Sequence, residues 1–174
     1  MTTARLPPAV TWGLLVSWLL HDVEEVATMA TFARAYEQQV GRRLPVSPEQ
    51  MAAAVTTIGL LVAVASVRGV TTGGRSTLFR RVLLAHAVHS TWHVGASLAL
   101  RSYTPGVITA ALVVGPHGWW ALRRLRRTQG WAGREQLGDL RIAVPGAVTA
   151  VLSAHVVARE ALRQFRNVRP GRRG

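Results

Sequence analysis

The sequence predicts an all-α protein, a polytopic bundle of transmembrane helices with five spans, or four if the last apolar stretch does not cross. Of its 174 residues, 49% are hydrophobic, and four or five apolar stretches each approach the roughly 20 residues with which a helix crosses a bilayer. All 21 basic residues are arginine, and they lie between and after these stretches, as is typical of membrane proteins near lipid headgroups. Little of the chain is left for a soluble domain.

The first two spans are predicted from their start signals. Pro7 precedes a span of about Pro8 to Ala33, because proline suits the first turn of a helix. A polar loop over residues 34–44 follows. In Ser47-Pro48-Glu49-Gln50, a serine cap, a proline at the first helical position and a glutamine three residues after the cap mark the second span, which ends near Val67.

The third and fourth spans are predicted in the same way. Ser76 suits the cap of a span from about Leu78 to Leu100. Thr104 is then the expected cap of a fourth span that reaches Trp120, with a kink at Pro116. We expect this span to leave the bilayer there, because a cluster of arginines follows the tryptophan.

The fifth predicted span is the last apolar stretch of the chain. It covers Ile142 to Ala158, and 17 predominantly apolar residues are near the minimum that can cross. Arginine counts favour a cytoplasmic amino terminus, which would leave the arginines after this run outside; four spans remove that conflict. The predicted domains are residues 1–163, one transmembrane helical domain, and 164–174, an arginine-rich tail.

Polar residues interrupt the middle of the first span. An acidic side chain at the bilayer centre costs roughly 2.5 to 3.5 kcal/mol, so such residues normally face a bundle interior and are paired. Residues three and four apart share one face of a helix. His21, Glu24 and Glu25 should therefore point in similar directions, while Asp22 and Val23 turn away.

The third span carries a matching set of histidines. His86, His89 and His93 are three and four residues apart and so lie on one face. His21 and His89 each follow the start of their span by about eleven or twelve residues, which places both near the midplane. If the two helices are neighbours, their imidazoles and carboxylates form a site for a divalent metal such as zinc, iron or manganese.

The same residues carry a resemblance to a known family. His21-Asp22-Val23-Glu24-Glu25, the later His89-Ser90-Thr91-Trp92-His93 and the stretch 101–109 resemble the two signatures of the HXXEE-domain family of integral membrane proteins. The resemblance covers about Leu14 to Ala121. It implies a multi-span membrane protein suspected of binding metal, with no established reaction, and its motif positions here are His21, Glu24, Glu25, His89 and His93. His86 and His155 are candidates from spacing and depth only.

The leading functional hypothesis is a membrane-embedded metalloenzyme, a hydrolase or an oxidoreductase. The metal ligands would come from His21, Glu24, Glu25, His86, His89 and His93, and Glu24 or Glu25 would act as general base or acid. A site reached through the bilayer indicates a hydrophobic or lipid-like substrate.

Several alternatives use the same residues. They are a carrier of metal ions or protons, a haem site between paired histidines, and a purely structural polar network. The formal charge of +13 is explained by lipid, so no nucleic-acid partner is expected. The predicted location is the bacterial plasma membrane as a multi-pass protein, and no oligomeric state is predicted.

Overall fold

The chain folds into five helices in the computed structural model, which describes residues 6–168, and no strand occurs in that range. The predicted all-α class is confirmed. We number the helices α1 to α5 and treat the helical stretch 107–129 as α4. Their bounds are Pro8–Val40, Pro48–Thr71, Thr77–Leu100, 107–129 and Gly133–Val168.

The predicted starts of the first three helices are confirmed. α1 begins at Pro8, directly after Pro7. The Ser47 hydroxyl accepts a hydrogen bond from the backbone N–H of Gln50 at 3.2 Å, which satisfies a donor that the first turn of α2 leaves free. Ser76 caps α3 in the same way.

Some predicted boundaries were wrong. α1 continues to Val40 through part of the predicted 34–44 loop, because residues 34–40 are mostly good helix formers, and it ends at Gly41 with φ 70°. α5 begins at Gly133, nine residues before the expected Ile142. It runs to Val168, and the predicted division of the chain at residue 163 stays a prediction. Arg5, near the amino terminus, and residues 169–174 of the predicted tail lie outside the described residues.

The start of α4 also differs from the prediction. The residue that precedes its first turn is Gly106, and the helix begins at Val107. Thr104 is buried instead, with its hydroxyl 2.9 Å from that of Ser97. The cap of α4 therefore comes from elsewhere in the molecule, as described below.

The predicted irregularity at Pro116 takes the form of a widened turn. α4 contains a π-helical segment, Ala110–Val114, before the α-helix Gly115–Gln129. The backbone N–H of Gly115 donates to the carbonyl of Ala110, five residues back. Proline has no N–H and crowds the preceding turn, which accounts for the irregularity at this point.

The five helices alternate in direction and so define two ends of the bundle. At one end, which we call the closed end, Gly74 lies against Leu6 and Leu125, and Arg80 binds Glu135 at 2.9 Å. The other, which we call the open end, holds the 41–47 loop, the 101–106 loop and the last turns of α5. There the side chain of Gln50 donates to the carbonyl of His155 at 3.1 Å.

The closed end contains most of the apolar core. Phe79, Leu83 and Trp131 are fully buried there. The indole N–H of Trp131 donates to Asp139 at 3.1 Å, and the other oxygen of Asp139 accepts a hydrogen bond from Arg81 at 2.9 Å. The closed end therefore joins α3, the α4–α5 connection and α5.

Two helical stretches of the described chain are long and apolar enough to cross a membrane, Pro48–Thr71 and Gly133–Phe165. A core helix of a soluble protein can also combine this length and composition, so these two stretches support a membrane location only weakly. α1 and α3 carry the charged and histidine residues in their middle turns, which lowers their hydropathy.

Candidate metal centre

Four side chains converge between α1 and α3. His21 and Glu25 come from α1 and His89 and His93 from α3, and one ligand atom of each lies within 4.8 Å of all the others. The Nε2 atom of His93 is 2.9 Å from Nε2 of His89 and 3.2 Å from Oε1 of Glu25. His21, Glu25 and His93 are buried, whereas His89 is exposed. We call these four residues the His–Glu group.

The spacing of these atoms fits a bound divalent ion. In a tetrahedral site with bonds of about 2.0 to 2.1 Å, neighbouring ligand atoms lie roughly 3.3 Å apart. The Nε2 atom of His21 is 3.9 Å from Glu25 Oε1, and it is buried without a hydrogen-bond partner among the described residues. A buried nitrogen of this kind needs a hydrogen-bond partner or a metal, and three imidazoles with one carboxylate suit zinc, iron or manganese.

The other ring nitrogens are held by the loop before α4 and its first turn. Nδ1 of His93 lies 2.9 Å from the carbonyl oxygen of Pro105, which can only accept, so Nδ1 carries the proton. Nδ1 of His21 lies 3.1 Å from the hydroxyl of Thr109, and that hydroxyl donates to Glu24. When both rings are neutral, Nε2 therefore presents its lone pair to the centre of the group, as in many metal sites.

Glu24 lies outside the His–Glu group and caps α4. Its carboxylate accepts hydrogen bonds from the backbone N–H groups of Ile108 and Thr109, at 3.2 and 2.7 Å, and from the hydroxyl of Tyr103 at 2.7 Å. A carboxylate at this position satisfies the free donors of the first turn and interacts favourably with the helix dipole. The sequence placed Glu24 with Glu25 in one ligand set; in the structure the two carboxylates contact different helices.

Gly106 allows the loop to approach the group this closely. Its φ is +82°, and a Cβ atom there would lie 2.6 Å from Cε1 of His21 and 2.8 Å from Cγ of Glu25. Both the backbone conformation and the space therefore require glycine. Gly106 lies in the 101–109 stretch that resembles the family signature, but its role at the site was not predicted from the sequence.

Asp22 is a site residue that the sequence analysis missed. It is buried, its Oδ2 atom has no hydrogen-bond partner among the described residues, and its carboxyl group interacts with that of Glu25. The prediction that Asp22 turns away from the site was therefore wrong. The signal was present, because Asp22 and Glu25 are three residues apart and such residues are neighbours on a helix.

The remaining histidines do not join the group. His86 is buried with its Nε2 atom 3.3 Å from the hydroxyl of Ser17, and its ring centre is 6.2 Å from that of His21. His155 on α5 faces the cavity described next, and His117 lies against the carbonyl of Ala9 at 3.3 Å.

A cavity of about 380 Å³ adjoins the His–Glu group. α1, α2, α3 and α5 form its walls, which are mainly aliphatic, while His21, Asp22 and Glu25 face it from α1. This volume and this mixture of apolar walls with a few polar groups are typical of sites for small molecules. We call it the apolar cavity.

These features define an all-α protein with a largely buried His–Glu group that could hold a metal ion. The chain belongs to the family described as "Protein of unknown function with HXXEE motif", whose family model matches residues 12–121. The match includes the whole His–Glu group, Glu24 and the 101–106 loop, and it confirms the resemblance seen in the sequence. No curated protein and no solved structure matches the chain significantly.

Proposed function

We propose that the protein is a multi-pass membrane enzyme that binds a divalent metal at the His–Glu group and acts on a hydrophobic or lipid-like substrate in the apolar cavity. The observation that carries the proposal is the convergence of His21, Glu25, His89 and His93 beside that cavity. The bacterial plasma membrane is the location that we propose, with five spans.

The outer surface of the bundle supports the proposed spans. Each helix exposes a large aliphatic side chain by two thirds or more, as expected of helices whose outer faces contact lipid. The examples are Val23, Leu60, Leu98, Leu112 and Val156, one from each helix, with exposed fractions of 67 to 72%.

The depth of the His–Glu group is consistent with such an arrangement. α1 and α3 both start at the closed end, and His21 and His89 follow these starts by roughly 20 and 18 Å at 1.5 Å per residue. A hydrocarbon core is about 30 Å thick, so both side chains would lie well inside it. Buried charged groups at this depth are costly unless they are paired, which favours a bound cation.

The residues of the chain have distinct roles in this proposal. His21, Glu25, His89 and His93 would hold the metal, which when bound lowers the pKa of water or polarises a substrate oxygen. Asp22 faces the apolar cavity beside Glu25 and is placed to accept or return a proton. Glu24 acts through Thr109, which orients His21. The assignment of Glu24 and Glu25 as catalytic groups stays a prediction, and the contacts of Glu24 favour a positioning role.

The geometry favours this proposal over the alternatives. A carrier needs a polar path across the bundle, yet Thr56 and Thr57 are exposed, and each hydroxyl donates to a carbonyl one turn back in α2. A haem would be held by histidines alone, whereas the carboxylate of Glu25 lies 3.2 Å from Nε2 of His93.

Elemental analysis of the detergent-purified full chain tests the proposal. We expect about one equivalent of zinc, iron or manganese per wild-type chain and its loss in Glu25→Gln and in His93→Gln. Glu160→Gln is the matched control, because Glu160 is an exposed carboxylate on α5 whose hydrogen-bond partner is Gln164. It should retain the metal.

Two results would contradict the proposal. One is a wild-type protein that binds none of these metals after growth or dialysis with each of them. The other is equal metal content in the wild type, Glu25→Gln and His93→Gln, which would leave the His–Glu group as a structural network. Thermal unfolding followed by tryptophan fluorescence checks that each variant is folded.

A further inference from the structure

A second cavity, of about 720 Å³, lies at the open end. It is formed by the last turns of α1, the 41–47 loop, the first turn of α2 and the last turns of α5. Four arginines line it, and we call it the arginine recess: Arg34, Arg43, Arg159 and Arg163.

The arginine recess has an excess of positive charge. Glu37 is the one acidic residue in the described lining, and its carboxylate already accepts a hydrogen bond from Arg43 at 3.0 Å. That hydrogen bond raises the pKa of the Arg43 guanidinium. Three further guanidinium groups therefore face the recess without a carboxylate of the lining to neutralise them.

The two arginines of α5 are the clearest sign of an anion site. Arg159 and Arg163 are four residues apart, and like charges at this spacing repel each other on a helix. In the described part of the chain neither forms an ion pair. An anion bound between them would remove the repulsion, and guanidinium groups bind phosphate or carboxylate through paired N–H donors.

The arginine recess lies next to the apolar cavity. Two consecutive residues of α2 line the two cavities: Gln50 lines the arginine recess, and Met51 lines the apolar cavity. On α5, His155 lines the cavity and Arg159, one turn later, the recess. Along α1, Arg34 follows Glu25 by nine residues, which is about 14 Å at 1.5 Å per residue.

We propose that the arginine recess binds the phosphate or carboxylate headgroup of an anionic amphiphile whose apolar chain enters the apolar cavity. This inference rests on the proposed function and names its substrate class. The headgroup then lies about 14 Å from Glu25 along α1, so the part of the molecule that reaches the His–Glu group is the chain.

Binding of three probes to the purified full chain in detergent tests the proposal. The probes are 1-oleoyl lysophosphatidate, 1-oleoyl lysophosphatidylcholine, which has the same chain with a zwitterionic headgroup, and inorganic phosphate, which has no chain. We expect the lysophosphatidate to bind more tightly than either of the others by about tenfold or more, because charge-assisted hydrogen bonds and chain burial both contribute.

Two sets of variants locate the bound molecule. Arg159→Gln combined with Arg163→Gln should weaken lysophosphatidate binding about tenfold or more, and Ala150→Phe, which fills the apolar cavity, should weaken it without changing phosphate binding. The matched control is Arg123→Gln with Arg124→Gln, an exposed pair on α4 outside both cavities. It should leave binding unchanged.

The following outcomes would overturn the proposal. Equal binding of the two lysolipids would show that the headgroup charge is not recognised, and equal binding of phosphate and lysophosphatidate would reduce the recess to a site for free anions. An equal loss in the Arg123 and Arg124 control would show a general charge effect. Metal content measured on the same samples separates the two proposals. If a protein without metal binds the lysolipid, the proposed metalloenzyme is contradicted and the proposed headgroup site is not.

Discussion

The two ends of the bundle differ in whether their charged and polar side chains are paired with one another. At the closed end, Arg80 binds Glu135, Arg81 binds Asp139, and Trp131 packs under Arg80 with 5.2 Å between the guanidinium carbon and the ring centre. Towards the open end, buried imidazoles and carboxylates instead face one another and an adjoining cavity. The charged side chains named at the closed end are paired with one another, whereas the other half of the molecule has groups that a cation and an anion would complete.

This difference shows which features belong to stability and which to function. Paired charges over a filled aromatic core hold elements together. The unpartnered Nε2 of His21 and Oδ2 of Asp22 are costly to bury, and a metal ion or ligand bound at the site would supply their missing partners.

The largest expected effect is a loss of stability at the closed end. Phe79 is fully buried there and packs against Gly69. Phe79→Ala should lower the free energy of unfolding by about 3 to 5 kcal/mol, because it leaves a cavity in the core. Metal content per folded chain should not change. Thermal unfolding and elemental analysis on the same samples check both statements, and a loss of metal in the folded fraction would show that the two ends are coupled.

Alanine substitution of one glycine from each end compares the two ends directly. Gly106 and Gly130 both have positive φ, +82° and +66°, but a Cβ at Gly130 meets nothing within 4 Å. Both alanine variants should lose about 1 to 2 kcal/mol of stability from the backbone conformation. Gly106→Ala should in addition weaken metal binding roughly 10- to 100-fold by displacing His21 and Glu25. Chelator competition measures this affinity, and equal metal affinity in the two variants would argue against the role of the 101–106 loop.

The smallest expected effect comes from one hydroxyl. Thr109→Val keeps the shape of the side chain and removes the hydrogen-bonded link between His21 and Glu24. Metal affinity should therefore fall about tenfold, the smaller effect expected when a residue that orients a metal ligand is lost. Thr57→Val is the control, since the Thr57 hydroxyl binds only a carbonyl of its own helix. An unchanged affinity in Thr109→Val would show that His21 is oriented by packing alone.

Much of the fold was predictable because its signals are local. The starts of α1, α2 and α3 follow from Pro8, Ser47 and Ser76, each of which acts within one turn of its own helix. The start of α4 was not predictable in this way, because its cap is Glu24, 85 residues away from Thr109 in the sequence.

The candidate site, like the fold, was predictable only where its signals are local. Spacing along each helix was enough to select His21 and Glu25 on α1 and His89 and His93 on α3, because residues three or four apart share a face. It could not rank Glu24 against Glu25, nor exclude His86, since these choices depend on which neighbouring helix each side chain meets.

Chain composition and residue spacing thus determined the helical class, most helix starts and the residue types of a candidate metal site. All of these arise from interactions within a turn or two of one helix. The packing of α1 against α3 and α4 assigned Glu25 to the group and Glu24 to the cap of α4, brought Asp22 to the cavity and required glycine at position 106. These assignments depend on distances between segments far apart in the chain, and such distances exist only once the helices have packed.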